Sequence, residues 1–320
     1  MIGAGMAGLT AAHDLTDLAD VVVLDKGRGV GGRLATRRMG DATFDHGAQF
    51  ITTHTDDFAA TITKLVGGGV VAPWFRGRIG PQGVVDPDGH TRFRGAVSMN
   101  AVAKALAVGL DVRTASLVSS LVHDGKSWTV VLADGTELKA DAVVMTSPVP
   151  QTLALFDNGG VELSPNDADA LTAIRYDPCL ALMAVLDGPS GLNEPGAIDP
   201  DSGPIDWMAD NQLKGISAVP AVTIHAAAEF SASNLDAIDD EVADALFAAA
   251  GLAANAVRGS IQIQRWRYAR PSVEHPERFL VLDGVPPLVC AGDAFGGAKV
   301  EGAALSGTAA AAALRELLQR

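Results

Sequence analysis

The sequence predicts a two-lobed α/β protein, and three observations carry that expectation. A glycine-rich turn, Gly3-Ala4-Gly5-Met6-Ala7-Gly8, leads into helical spacing to about Leu18 and then an apolar run, Val21-Val22-Val23-Leu24-Asp25. The same style returns at Pro287–Asp293, followed by a closing helix from about Val300 that runs out through Arg315 to Arg320. The length of 320 residues is too great for one small domain. Together these point to a Rossmann-type lobe interleaved with a mixed α+β lobe that would hold a substrate.

The apolar run at 21–25 shows no alternation, as a parallel strand buried on both faces should. Turn, helix and buried strand make most of a βαβ unit. The first strand is reduced to Met1 and Ile2, where about five residues are usual, so a few native residues are expected to precede Met1. Loop chemistry dominates Lys26 to Arg38, and Thr43–Thr53 reads as a strand entering a glycine turn. Asp56–Val66 has helical spacing behind Thr55 as a cap. Short strands broken by Gly and Pro are expected through Gly95, and Ser98 opens a helix to about Val108.

From Leu117 to Met145 the pattern is all strand. Val118–His123, Trp128–Leu132 and Glu137–Lys139 are joined by the hairpin signals Asp124-Gly125 and Asp134-Gly135, and Ala142–Thr146 is a further buried strand. Beyond Gln151 come strands at Cys179–Leu186, Ala221–Ala227 and Ser260–Tyr268, a loop rich in Gly and Pro at 188–204, and an acidic-fronted helix at Asp239–Ala250. The expected division gives 1–52, 93–150 and 279–320 to the first lobe, and 53–92 and 151–278 to the second.

Composition narrows the function classes. A net charge of −14 argues against nucleic acid or an anionic membrane as partner. Two cysteines cannot build a disulfide framework, and seven scattered histidines show no ligand spacing, so no metal is expected. No run is long and apolar enough to span a bilayer and no signal peptide is visible, so the expected location is cytoplasmic. No GxSxG elbow occurs, which disfavours a serine hydrolase.

Each glycine of the first turn has a job. Gly3 permits the tight turn, Gly5 lets a pyrophosphate approach the backbone, and Gly8 lets the helix pack closely on the strand. The helix N-terminus supplies N–H groups and the positive end of a dipole. Asp25, 22 residues after Gly3, is placed to accept hydrogen bonds from a ribose diol. Gly31-Gly32-Arg33 suggests a second backbone approach to the same dinucleotide, with Arg33 neutralising phosphate. Asp293 is placed for a ribityl hydroxyl, and amides at Lys299–Val300 would face negative charge developing on a reduced flavin. His46 reads either as a pocket group or as a residue orienting its turn. Trp266 and Tyr268 share one strand face, either over the pocket or as a core pair. His225 reads as a satisfied core histidine.

The segments Arg28-Gly29-Val30-Gly31-Gly32-Arg33-Leu34-Ala35-Thr36-Arg37-Arg38 and Phe44-Asp45-His46-Gly47-Ala48-Gln49-Phe50 resemble the renalase group of the FAD-dependent amine oxidase superfamily. Arg265–Ala269, Gly292-Asp293 and Val300–Ala303 fit the same group. The resemblance covers both chain ends and is weaker in the middle. It implies a two-lobed fold of the glutathione-reductase-like type with non-covalent FAD. The implied cofactor-binding residues are Gly3, Gly5, Met6, Ala7, Gly8, Asp25, Lys26, Arg28, Gly31, Gly32, Arg33, His46, Gly47, Ala48, Gln49, Val118, Gly292, Asp293, Lys299, Val300 and Ala303. The pocket candidates are His46, Gln49, Trp266 and Tyr268, with no catalytic residue assigned. The implied reaction oxidises dihydronicotinamide dinucleotides reduced at the wrong ring position, with oxygen taking the electrons. A flavin amine oxidase or desaturase is the rival enzyme, though two Tyr and four Trp are few for an aromatic cage. A non-catalytic flavin- or nucleotide-binding protein is the rival of another class. An anionic dinucleotide would need local bases, the candidates being Arg76, Arg78, Arg92, Arg94, Arg265, Arg267 and Arg270.

Overall fold

The computed structural model describes residues 1–252 and 256–319, the side chains of 256–259 excepted; Arg320, the expected end of the last helix, lies outside them. Along the chain run α1 (Met6–Leu15), β1 (Val22–Leu24), β2 (Thr36–Met39), β3 (Ala42–Asp45), α2 (Asp56–Gly67), β4 (Val71–Ile79), β5 (Val85–Gly95) and α3 (Asn100–Leu106). Next come β6 (Asp111–Arg113), β7 (Val118–His123), β8 (Trp128–Leu132), β9 (Glu137–Ala140), β10 (Val143–Met145), α4 (Val149–Gly159), α5 (Pro165–Ala173) and β11 (Arg175–Leu186). The remainder comprises β12 (Ala197–Ile198), β13 (Ile205–Asp210), β14 (Ala221–Ala226), α6 (Ala228–Ser233), α7 (Asp239–Ala250), β15 (Ala256–Val273), β16 (Leu280–Val281), β17 (Leu288–Cys290) and α8 (Lys299–Leu318).

The chain divides into two compact units, Met1–Gly32 with Ala103–Arg175 and Arg270–Arg320, and Arg33–Val102 with Tyr176–Ala269. In the first, β1 pairs in parallel with β6, and β10 in parallel with β17. Ile2 joins the two pairs, bridging in parallel to both Leu24 and Met145. The stub at the chain start is therefore the middle of the sheet. Helices α1 and α8 pack closely: a Cβ on Gly307 would lie 2.3 Å from the Ala7 carbonyl oxygen. Ala11, Leu15, Val144, Val289, Ala310 and Leu314 form the core beneath them.

The second unit is built on a five-stranded sheet in the order β12-β13-β14-β11-β15. Residues Leu180–Ala184 of β11 are buried on both faces, which explains the apolar run there. Leu180, Leu182 and Ala184 face the apolar side of α7, through Val242, Leu246 and Phe247. Met183 faces the other way, against Ala42 and Phe44 of β3 and Ala221 of β14.

The bounds differ from the sequence reading. Residues 33–52 and 93–102 lie in the second unit because β3 packs on its sheet and Ile51 pairs with Phe93. Residues 151–175 lie in the first. There Asn158 donates to the Ser119 carbonyl at 3.0 Å, and Asp167 accepts from the Asp283 amide at 3.0 Å. Residues 270–278 lie there too, since His275 bridges to Phe295. The expected short strands near 71–95 are one long hairpin. Register shifts between Pro73 and Phe75 and between Arg76 and Arg78 let β4 and β5 continue past Pro73 and Gly77.

Candidate active site

In the first unit the three glycines of the first turn differ in what surrounds them. Gly3 has φ of +107°, and a Cβ there would meet the Thr146 hydroxyl at 2.5 Å. A Cβ on Gly8 would lie 2.0 Å from the Gly3 carbonyl oxygen, so only glycine lets α1 start against the turn. Gly5 is different, for its nearest neighbour would be the Gly31 carbonyl oxygen at 4.0 Å. Here the glycine keeps space open. Met6 and Ala7, both buried, begin α1.

The second glycine motif docks on the first. The Gly31 amide donates to the Ala4 carbonyl at 2.8 Å, and Gly31 and Gly32 take φ of +121° and +51°. Asp25 ties both together: its Oδ2 accepts from the Ala4 amide and its Oδ1 from the Gly27 amide, each at 2.7 Å. The carboxylate thus shapes the turn, and its remaining lone pairs are what a ribose could use. Lys26 is exposed and donates to Gln151 at 2.9 Å; Arg28 is exposed. Val118 is buried at the start of β7, opposite Leu132.

At the other chain end, the Gly292 amide donates to the Ser306 hydroxyl at 2.8 Å, and half-buried Asp293 follows. Lys299 has φ of +72°, a left-handed conformation unusual for a side-chain-bearing residue. It turns the chain into α8, whose first turn contains buried Val300 and half-buried Ala303. A Cβ on Gly302 would lie 1.9 Å from the Gly297 carbonyl oxygen, so this turn too is built by close approach.

In the second unit the turn His46-Gly47-Ala48-Gln49 rests on the backbone of Arg33 to Ala35. The Ala48 amide donates to the Arg33 carbonyl at 2.8 Å, and a Cβ on Gly47 would lie 2.0 Å from that same oxygen. Arg33 reaches β15, where its Nη1 donates to the Tyr268 and Ala269 carbonyls at 3.4 and 3.2 Å. His46 stacks on Trp266 with ring centroids 5.4 Å apart and planes 19° from parallel, and Trp266 Nε1 donates to the His46 carbonyl at 2.8 Å. Tyr268 meets Tyr176 edge-on at 5.6 Å.

Behind this turn lies a polar centre. Asp45 and Lys214, both with fully buried side chains, form an ion pair at 2.9 Å. Asp45 Oδ1 also accepts from the Thr36 hydroxyl at 2.6 Å and the Met99 amide at 2.9 Å. Lys214 Nζ lies 3.5 Å from Gln49 Oε1 and 4.9 Å from the centroid of the Trp74 ring. Gln49 Nε2 donates to the Asp45 carbonyl at 2.6 Å and lies 3.4 Å from His225 Nε2. His225 Nε2 is also 3.2 Å from the His46 carbonyl oxygen. His225 is thus hydrogen-bonded within the interior, and with Thr223 it lies on the face of β14 that β3 covers.

Burial holds the His46 imidazole down to about 4, reinforced by the charge of Arg37 and by His225 and opposed by Asp45. Burial likewise lowers His225 to about 4. Both rings are neutral at pH 7. Burial also lowers the Lys214 ammonium from its usual value, with Asp45 opposing the shift.

Comparison with known proteins decides the family. Residues 1–65 match the model of an NAD(P)-binding Rossmann-like domain, and residues 65–315 that of a flavin containing amine oxidoreductase. The chain belongs to the flavin containing amine oxidoreductase family. Cyclohexylamine oxidase from Brevibacterium oxydans IH-35A is 14% identical with a TM-score of 0.73, covering 100% of this chain and 98% of that one. Putrescine oxidase is 16% identical with a TM-score of 0.70 over the same shares. A CLA-producing fatty acid isomerase from P. acnes gives 11% and 0.71, covering 96% of each chain. At these identities the likeness is one of fold, and oxidases and an isomerase share it.

Membership of this amine oxidoreductase family implies a flavin, and the first unit fits FAD. The space kept open at Gly5, beside Gly31 and Gly32, is a cradle that a side chain would fill. Amides at the start of α1 would favour the negative charge of a bound cofactor's phosphates. A separate hollow of about 620 Å³, lined among others by Arg38, Asp41, Val185, Pro220 and Gln262, gathers only this edge of the second unit and none of the expected site residues. Among the described residues no cluster suits a metal ion, and no helix is long and apolar enough to cross a membrane.

The sequence reading quoted Arg37 and Asp45 within its motifs but gave them no role, and it passed over Lys214. The signal was present for Lys214, in a polar run from Asp210 to Gly215 placed between apolar strands. Among the arginines named as anion partners, Arg92 is paired with Asp88 at 2.7 Å, Arg265 with Asp239, and Arg267 with Asp236 at 3.3 Å.

Proposed function

We propose that this protein is an oxidase with non-covalently bound FAD that oxidises dihydronicotinamide dinucleotides reduced at ring position 2 or 6. A bound flavin supplies a two-electron acceptor that oxygen can reoxidise. The protein's own residues hold the cofactor and fix the donor. Gly5, Gly31 and Gly32 admit the pyrophosphate, Asp25 takes a ribose, and the amides at Lys299–Val300 favour charge on the flavin's pyrimidine edge. In the balanced reaction, the donor loses a hydride to become NAD(P)⁺. Oxygen takes those two electrons and two protons, one of them from solvent, as hydrogen peroxide.

The charge of the polar centre carries this reading. One buried carboxylate, Asp45, faces two cations: Lys214, paired with it, and Arg94, whose charge acts on both. The neutral His46 and His225 add none. A basic amine would meet positive charge here, and a donor bearing phosphates would be favoured. Hydride transfer needs a positioned ring rather than an acid–base pair. That matches a centre whose imidazoles stay neutral.

The amine oxidase reading has its own observation. Phe50, Phe75, Trp74 and Trp207 form one aromatic cluster, with neighbouring centroids 5.0 to 6.4 Å apart. Two of its rings already carry cations, Lys214 at Trp74 and Arg92 at Phe50. An anaerobic flavin-bleaching screen separates the readings. Bleaching by 2- or 6-dihydronicotinamide dinucleotides, with equal NAD(P)⁺ and peroxide in air, is expected. Rapid bleaching by amines with stoichiometric aldehyde would overturn it.

A further inference from the structure

Arg37 stands on β2, half-buried, with its charge felt at His46. Its Nη1 donates to Gln262 Oε1 at 2.8 Å and its Nη2 to Gln264 Oε1 at 3.2 Å. Among the described residues no carboxylate pairs with it. Arg92, Arg265 and Arg267 of the same unit each have one, whereas Arg76 and Arg94, like Arg37, donate to neutral oxygens. Two neutral amide oxygens fix the guanidinium plane without cancelling its charge, and three of its five N–H donors remain.

The surroundings say where that charge is offered. Gln262, Gln264, Trp266 and Tyr268 alternate along one face of β15. Arg37 holds the first two, and His46 stacks on the third. A fixed cation thus lies beside an aromatic and imidazole stack on a single strand face. A planar ring with an anionic group attached is the chemistry that suits it.

We infer that Arg37 is a specificity residue that binds a phosphate of the substrate. The inference rests on the dihydronicotinamide reading above. The same chemistry could come from the pyrophosphate of FAD, and the test separates the two sources.

The holoenzyme is reduced anaerobically with 6-dihydro-NAD, 6-dihydronicotinamide mononucleotide and a phosphate-free N-alkyl dihydronicotinamide. In Arg37→Gln, half-saturation by the two phosphate-bearing donors should rise ~10- to 100-fold, while the limiting rate and the phosphate-free donor shift less than ~3-fold. Arg37→Lys should restore part of the loss. Gln264→Glu leaves the arginine in place but neutralises it, and should reproduce the selective loss. Equal weakening of all three donors would show a merely structural role. Weakened FAD binding with unchanged donor dependence would assign Arg37 to the cofactor; either result overturns the inference. A binding readout stands apart from turnover: NAD(P)⁺ titrated against flavin absorbance should bind Arg37→Gln at least ~10-fold more weakly. Failure of every donor to reduce the wild-type flavin sinks the proposed reaction. The titration still decides on Arg37, since no wild-type binding, or equal binding by the variant, overturns it.

Discussion

Lys214 Nζ lies 2.9 Å from Asp45 Oδ2, and neither side chain has any exposure to water. Such a pair is costly to break from one side only, because the partner is left charged and buried. Asp45→Asn and Lys214→Met should each destabilise the protein by ~3–5 kcal/mol in denaturant unfolding. The double variant should cost less than the sum of the singles. Strict additivity would mean that the pair is not coupled in solution.

The two neutral histidines set a pH dependence. Their folded pKa values of about 4 lie below the ordinary value of 6.5, so the unfolded chain binds protons more readily between those limits. Stability from this source is complete above pH 6.5 and is lost as pH falls toward 4. The loss should be roughly 3 kcal/mol per histidine. Urea midpoints from pH 7.5 to 4.5 should fall more steeply in wild type than in His225→Asn. Parallel curves would contradict the burial argument.

Gly8 and Gly5 should fail in different ways. Gly8→Ala forces α1 off its turn and should lower the melting temperature of the whole protein. Gly5→Ala meets nothing closer than 4.0 Å, so it should fold normally and bind FAD ~10- to 100-fold more weakly. Flavin fluorescence and thermal unfolding on the same samples distinguish the two. Equal behaviour would remove the distinction between a packing glycine and a ligand glycine.

FAD should be released intact by acid precipitation, since no cysteine or histidine sits in a recognised linkage motif. Asp25→Ala and Arg33→Ala should each weaken it ~10- to 100-fold. Asp25→Ala should also lower stability, because Asp25 accepts two backbone amides that alanine leaves without it. Flavin retained in the pellet would show covalent attachment.

What was legible in the sequence was whatever depends on local spacing. The glycine turns, the hairpins at Asp124-Gly125 and Asp134-Gly135, and α7 with its acidic first turn all appear where their residues place them. The polar centre was not legible. Asp45 and Lys214 are 169 positions apart, and only the sheet that brings β3 against β14 makes them neighbours. Arg37 was hidden for the same reason, since its glutamine partners sit on β15. The bounds of the compact units differ from the expected ones where a segment's partners are remote, as with Asp167 and the Asp283 amide.

The bridge at Ile2 has a consequence for synthesis. Ile2 takes its place between Leu24 and Met145, and β10 in turn needs β17 beside it. Pairings of such long sequence separation close late and slowly. On the ribosome the turn at residues 3–8 is made well before β10, the strand on the far side of Ile2. The helix that packs against Ala7 is made later than β10 and β17. A chain halted before Leu288 therefore leaves the edge of β10 open to other chains.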